Sequence, residues 1–195
     1  MIYFTSDLHF FHTNILKYDN RPFSNVEEMN KALIDNWNSI IKKDDIVYIL
    51  GDFGYIQIHE GIEILKQLKG KKILILGNHD NHTVNNYYKM GFDLVLQEAV
   101  IKCGQKTFKL AHYPYKYSKL KMWWIRITTG KKYTKINKYS PVKGNEDFLL
   151  HGHVHSGFEK INLKKKQIHV GCYAWKYAPV SVTQIHDLID LTLNL

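Results

Sequence analysis

Five short blocks of the sequence carry residues suited to holding a divalent metal ion. They are Asp7-Leu8-His9, Gly51-Asp52, Gly77-Asn78-His79-Asp80, His112, and Gly152-His153-Val154-His155. Carboxylate, imidazole and amide oxygen in one set suit a divalent transition metal such as Mn, Fe, Zn, Co or Ni. They do not suit Ca or a thiolate-bound structural Zn. Asp7, His9, Asp52, Asn78, His112, His153 and His155 are too many for one tetrahedral ion. They are a natural number for two ions sharing a carboxylate, an arrangement that lowers the pKa of a bridging water and clamps a phosphoryl oxygen. Gly51, Gly77 and Gly152, beside the ligands, fit tight turns where backbone and substrate approach closely. His151 immediately precedes the last block and is expected to pack or to support a neighbour rather than to ligate.

The fold has to bring these blocks together, and the apolar pattern indicates how. Residues 2–6, 46–50 and 73–76 read as buried strands, each running directly into one of the first three blocks. Asn25 can cap a helix that carries Val26, Met29, Leu33, Trp37, Ile40 and Ile41 on one face, with Lys42 and Lys43 suiting its C-terminal end. A shorter helix around residues 59–69 ends at Gly70. Strand-helix-strand alternation implies parallel pairing with helical crossovers. In the second half, residues 99–102 and 107–110 form a hairpin signal, and residues 158–163 with 167–170 form another. Ser181 opens a final element with a capping box to Gln184. Parallel units followed by hairpins predict an α/β fold, a four-layer α/β/β/α sandwich with two mixed β-sheets. Residues 1–195 are expected to form one domain. Ligands of such sheets gather outside the carboxyl ends of the strands, so the five blocks converge on one small volume.

The five blocks, in this order, resemble the calcineurin-like metallophosphoesterase superfamily. The stretches at residues 6–15 and 20–23, SDLHFFHTNI and NRPF, look like its small single-domain members from bacteria and their viruses. The resemblance implies a dinuclear metal-dependent hydrolase of phosphate esters, in which a metal-bridging hydroxide attacks phosphorus in line. Carried onto this chain, Asp7, His9 and His155 hold one ion, Asn78, His112 and His153 hold the other, and Asp52 bridges them. His79 binds no metal; its position in the family donates a proton to the leaving oxygen or steadies the phosphoryl group, and Asp80 orients it. Two divalent ions are the implied cofactors, Mn foremost, with Fe, Zn, Ni, Co or Mg as alternatives. The motif serves monoesters and diesters alike. A phosphomonoesterase on a small molecule or phosphoprotein is therefore one alternative, and a non-catalytic scaffold on the same fold is another.

Three residues near the first block are candidates for contact with substrate phosphate. His12 follows His9 by three positions, Asn14 lies just beyond, and Arg21 could grip phosphate bidentately where Lys acts as a point charge. His59, His82, His169 and His186 have no partners in sequence logic and are expected at the surface or in the core. In a related subgroup the position of His169 often carries Asn.

The net charge of +9 is local. Residues 115–143 contain nine Lys or Arg and no Asp or Glu, and the rest of the chain balances. Tyr115, Tyr117, Trp123, Trp124, Tyr133 and Tyr139 interleave with these cations. Such a segment can stack bases and pair with phosphates of single-stranded nucleic acid, or it can be a cap with solvated lysines. The first reading tilts the expected substrate towards a phosphodiester or nucleic-acid end. Cys103 and Cys172 are far apart with no CxxC pairing, and no basic leader or bilayer-length apolar run occurs. A cytoplasmic protein without membrane partners is expected.

Overall fold

The computed structural model describes residues 1–116, 139–155 and 159–194, together with Trp123 and Ile127. Most of the basic aromatic insert expected at 115–143 thus lies outside the described residues.

Short β-branched and aliphatic runs form the first sheet. β1 (Ile2–Thr5), β2 (Ile46–Ile49), β3 (Lys71–Ile75) and β4 (Leu94–Leu96) lie side by side and parallel. β10 (Val180–Ser181) adds to the free edge of β1, antiparallel. The second sheet has the order β5 (Ala99–Cys103), β6 (Lys106–Leu110), β7 (Phe148–His151), β9 (Gln167–His169) and β8 (Ile161–Asn162). Both expected hairpins are present as antiparallel pairs. The centre of this sheet, however, is parallel, because β7 inserts between β6 and β9. All four residues of β7 are buried, as a strand covered on both faces requires.

Helices cross between the parallel strands. After α1 (Ile15–Tyr18), α2 (Val26–Ile40) starts where the Asn25 side chain accepts the Glu28 N–H at 2.8 Å. Met29, Leu33 and Trp37 recur at helical spacing and are buried together with Val47, Ile49 and Leu74 of the sheet. α3 (Ile58–Gln67) and α4 (Val84–Met90) continue this layer, contributing Ile64, Leu65, Tyr87 and Met90. A second core lies between the sheets: Phe4, Leu50 and Ile75 meet Phe108, Leu110, Leu150 and Ile168. α5 (Val182–Leu193) adds Ile185 and Ile189 to it, and its start carries the expected reciprocal bonds between Ser181 and Gln184 at 2.9 and 3.1 Å. Burial of each such aliphatic side chain is worth about 2 kcal/mol, so the strand ends sit on a rigid base. Leu149 points to the opposite face of β7 and packs with Ala111 and Tyr115. Both cysteines are free and buried, and among the described residues no helix is long and apolar enough to cross a membrane.

Candidate metal centre

All the candidate ligands lie just past the carboxyl ends of strands, and the two sheets bring those ends together. Asp7 and His9 follow β1, Asp52 follows β2 and Asn78 follows β3; His112 follows β6, and His153 and His155 follow β7. Backbone bonds stitch the exits: Asp7 N–H to Gly51 O, His9 N–H to Asp52 O, and Gly152 N–H to His112 O, each at 3.0 Å. Across the sheets, the His153 N–H donates to both carboxylate oxygens of Asp7 at 3.1 Å. The Ser6 hydroxyl donates to Asp7 Oδ2 at 2.6 Å.

The side chains form two clusters. Asp7, His9 and His155 present ligand atoms within 4.8 Å of one another, and so do Asp7, Asp52 and His112. Asp52 Oδ2 lies 3.7 Å from His9 Nε2 and 3.5 Å from His112 Nε2. Around the second histidine, Asn78 Oδ1 is 3.0 Å from His112 Nε2 and 2.8 Å from His153 Nδ1. His112 donates its Nδ1–H to the Leu50 carbonyl at 2.9 Å, which leaves the Nε2 lone pair facing the cluster. His155 Nδ1 is likewise tied to Asp19 Oδ2 at 3.3 Å.

The backbone here is strained. Asp7 (φ 55°), His9 (φ 54°), Asp52 (φ 55°) and His153 (φ 66°) all adopt the left-handed conformation, which costs a non-glycine residue on the order of 1 kcal/mol each. Two glycines permit the close approach. A Cβ on Gly152 would lie 2.4 Å from Asp7 Oδ2, and one on Gly51 (φ 88°) would lie 2.4 Å from His112 Nδ1.

The electrostatics suit cations. Burial pushes the Asp52 carboxyl up to about 7, helped by the charge of Asp7. Burial also works against ionisation of Asp7, but His112, His155, His9 and His169 outweigh it and hold its pKa well below the ordinary range. Burial drives His9 well below the ordinary imidazole value and His153 down to about 4, so both offer lone pairs. His9 Nε2 is buried with no hydrogen-bond partner among the described residues. Two carboxylates, an amide oxygen and four imidazoles, one of them with an orphaned ring nitrogen, are a donor set that divalent cations fit.

A cavity of about 710 Å³ opens beside Asn78, His112 and His153, and is also lined by Gln97, Glu98, Tyr113 and Tyr139. The profile of the calcineurin-like phosphoesterase superfamily domain matches residues 1–176. The chain belongs to that superfamily. Relatives of this phosphoesterase-superfamily chain include the uncharacterized protein MJ1445 of Methanocaldococcus jannaschii, 36% identical over 97% of this chain and 91% of that protein. The gene 66 protein of Mycobacterium phage L5 is 32% identical over 96% of this chain and 93% of its own length. Among solved structures, the protein of unknown function AQ665 from Aquifex aeolicus matches with a TM-score of 0.71 at 30% identity, over 96% of this chain and 98% of that one.

Two sequence expectations need correction. Arg21 is not turned towards a phosphate. It is buried, and its guanidinium donates to the carbonyls of Asp7 (2.7 Å) and Leu8 (2.9 Å) and to Asp19 Oδ2 (3.4 Å). Its fork therefore fixes the strained turn that carries Asp7 and His9. Asp80 makes no hydrogen bond to the His79 ring among the described residues. Its carboxylate accepts the N–H groups of Asp52 (2.8 Å), Phe53 (3.0 Å) and Gly77 (2.8 Å), and so clamps the exits of β2 and β3. Asn14 is exposed at the N-cap of α1, without a side-chain capping bond. His12 is at the site: its Nδ1 is 3.2 Å from His9 Nδ1, and its ring centroid is 5.8 Å from that of His79. His79 stands 5.4 Å from His9, ring to ring. His151 bonds the Gly152 carbonyl at 2.9 Å and packs against His169 at 5.4 Å, outside both clusters. Sequence reasoning missed Asp19 and Tyr113. Tyr113 is adjacent to His112 in the chain, and its ring lies 4.4 Å from that of His153.

Proposed function

We propose that this protein hydrolyses phosphate esters with two divalent ions, and that its substrates are phosphodiesters or nucleic-acid ends. Asp7, His9 and His155 would hold one ion and Asn78, His112 and His153 the other, with Asp52 between them. The observation that carries this reading is Asp52 Oδ2, one oxygen within 3.7 Å of His9 Nε2 and 3.5 Å of His112 Nε2. The cavity beside the second set and the basic excess of residues 115–143 support the lean to diesters.

When bound, such ions supply a nucleophilic water at neutral pH and neutralise charge on the phosphoryl oxygens. The chain does the positioning. The Ser6 hydroxyl and the His153 N–H hold the Asp7 carboxylate, and Leu50 keeps His112 in the tautomer with Nε2 bare. Asp80 keeps the exits of β2 and β3 at a set separation through three backbone N–H groups. His79, whose ring stands beside those of His9 and His12, would direct a ring N–H to the leaving oxygen of the ester.

The test compares bis(4-nitrophenyl) phosphate, 4-nitrophenyl phosphate and a short single-stranded oligonucleotide with Mn-loaded protein. Turnover of the diester and the oligonucleotide, lost on chelation and restored by Mn, is expected. Hydrolysis of the monoester alone overturns the diester assignment. No metal uptake and no turnover with any divalent ion overturns the enzymatic reading in favour of a scaffold.

A further inference from the structure

We propose that the cavity beside Asn78, His112 and His153 is a nucleoside subsite. We further propose that it continues into a lysine-lined pocket for the next backbone phosphate, so that the substrate is the end of a single strand of nucleic acid. This rests on the phosphoesterase reading and specifies its substrate.

Three features of the cavity point to a nucleoside. Its volume of about 710 Å³ falls in the range of sites that enclose small organic ligands. Two aromatic rings line it in a stack: Tyr113 and Tyr139 have centroids 5.8 Å apart and planes inclined by 23°. Tyr139 is 57% exposed, so a large ring is held at the lip of the cavity instead of being buried in a core. A nucleobase added to such a stack gains contact whatever its sequence, because every base has a π-face. Gln97 and Glu98 line the same cavity and offer amide and carboxylate groups to the polar edge of a base. Glu98 is also paired with Lys109 (Nζ to Oε2 3.4 Å), so its carboxylate meets ring N–H groups as one side of an ion pair.

The lining differs between the two chambers. Pro141 lines the cavity and also a second pocket of about 290 Å³, so the two are neighbours. The described lining of the second is Tyr115, Pro141, Val142 and three lysines, Lys116, Lys143 and Lys165, with no acidic side chain among them. A chain entering from the ligand cluster therefore meets aromatic and amide groups first and cations next. That is the order of a scissile phosphate, a nucleoside and a following phosphate.

The experiment measures KM and kcat for bis(4-nitrophenyl) phosphate, for the 5′- and 3′-(4-nitrophenyl phosphate) esters of thymidine, and for a trinucleotide carrying the same aryl ester. In parallel, binding of a thymidine dinucleotide to metal-free protein is followed by tyrosine fluorescence. The proposal expects KM to fall about tenfold from the aryl diester to the better thymidine ester, as one stacked base provides. It expects a further fall for the trinucleotide that fades as salt rises. Tyr139→Ala should erase the first step and Tyr139→Phe should retain it. Lys116→Gln combined with Lys143→Gln should erase only the second. Equal KM for aryl and thymidine esters, or equal losses on every substrate in Tyr139→Ala, overturns the nucleoside subsite. A thymidine gain without a trinucleotide gain overturns the strand-end assignment. If no ester is hydrolysed, the phosphoesterase reading fails, and dinucleotide binding that is lost in Tyr139→Ala still decides the subsite.

Discussion

The two proposed ligand sets are built differently. Asp7 and His9 are almost fully buried, at 0% and 1% exposure, and their turn hangs on the Arg21 guanidinium. His155 of the same set leans on Asp19, itself buried and paired with Arg21. Asn78, by contrast, is exposed, and with His112 and His153 it borders a large cavity walled by tyrosines. Asp7 and His9 are thus held by a charge network inside the protein, whereas Asn78 and His153 reach the cavity; His112, at 2% exposure, is nearly as buried as His9. Two ions in such a frame would not be equivalent. The inner ion would be set by folding, and the outer one would be the ion that substrate approaches.

The comparison can be broken at Asp52, the carboxylate that touches both halves. Asp52→Ala should cut turnover of an aryl phosphodiester by about 10⁴-fold and lower metal content at both positions, as followed by steady-state kinetics and elemental analysis. A loss from one half alone would mean that the halves are independent. Arg21→Ala should damage the inner half by unfolding it. The buried Asp19 charge loses its guanidinium partner and the carbonyls of Asp7 and Leu8 lose a charged donor, a loss of about 3–5 kcal/mol in urea denaturation of the chelated protein. A substrate-contacting arginine would instead raise KM and leave stability unchanged. Asp19→Asn sharpens the contrast further. It should weaken metal binding at the inner position by about 10–100-fold and spare the outer one, seen as one altered step in a calorimetric titration.

The smallest effect concerns the histidines just behind the site. Burial lowers His151 to about 3 and His169 to about 4, against 6.5 for an ordinary imidazole. The unfolded chain therefore takes up protons below about 6.5 that the folded chain refuses, and chelated protein should lose stability as pH falls from 6.5 towards 4. His169→Asn should make that slope of Tm against pH shallower. An unchanged slope would show that His169 does not remain neutral in the fold.

Much of this was legible in the sequence because polar residues at the ends of apolar runs have few uses other than a site. β1 and β2 are almost wholly apolar and β3 is apolar after its two opening lysines, and the capping pairs at Asn25 and Ser181 mark their helices directly. β4 and α4 were missed. Leu94–Leu96 spans three residues, and Val84–Met90 interrupts its apolar face with two asparagines. The parallel centre of the second sheet was hidden because hairpin signals report local pairing, whereas β7 joins β6 from far along the chain. Arg21 and Asp80 were misjudged for one reason. A charged side chain near a site suggests substrate or a catalytic ring, but each of these spends its hydrogen bonds on backbone, which no residue type announces. Tyr113 carried no signal except its place next to His112.

Asp52 is proposed to stand between two ions. Crystals of Mn-loaded protein measured for anomalous scattering test it directly, since Asp7 also belongs to both acid-histidine clusters. The account predicts two Mn peaks flanking Asp52, one contacted by Asp7, His9 and His155 and the other by Asn78, His112 and His153. A single peak, or a pair bridged by Asp7 with Asp52 on one side only, would contradict it.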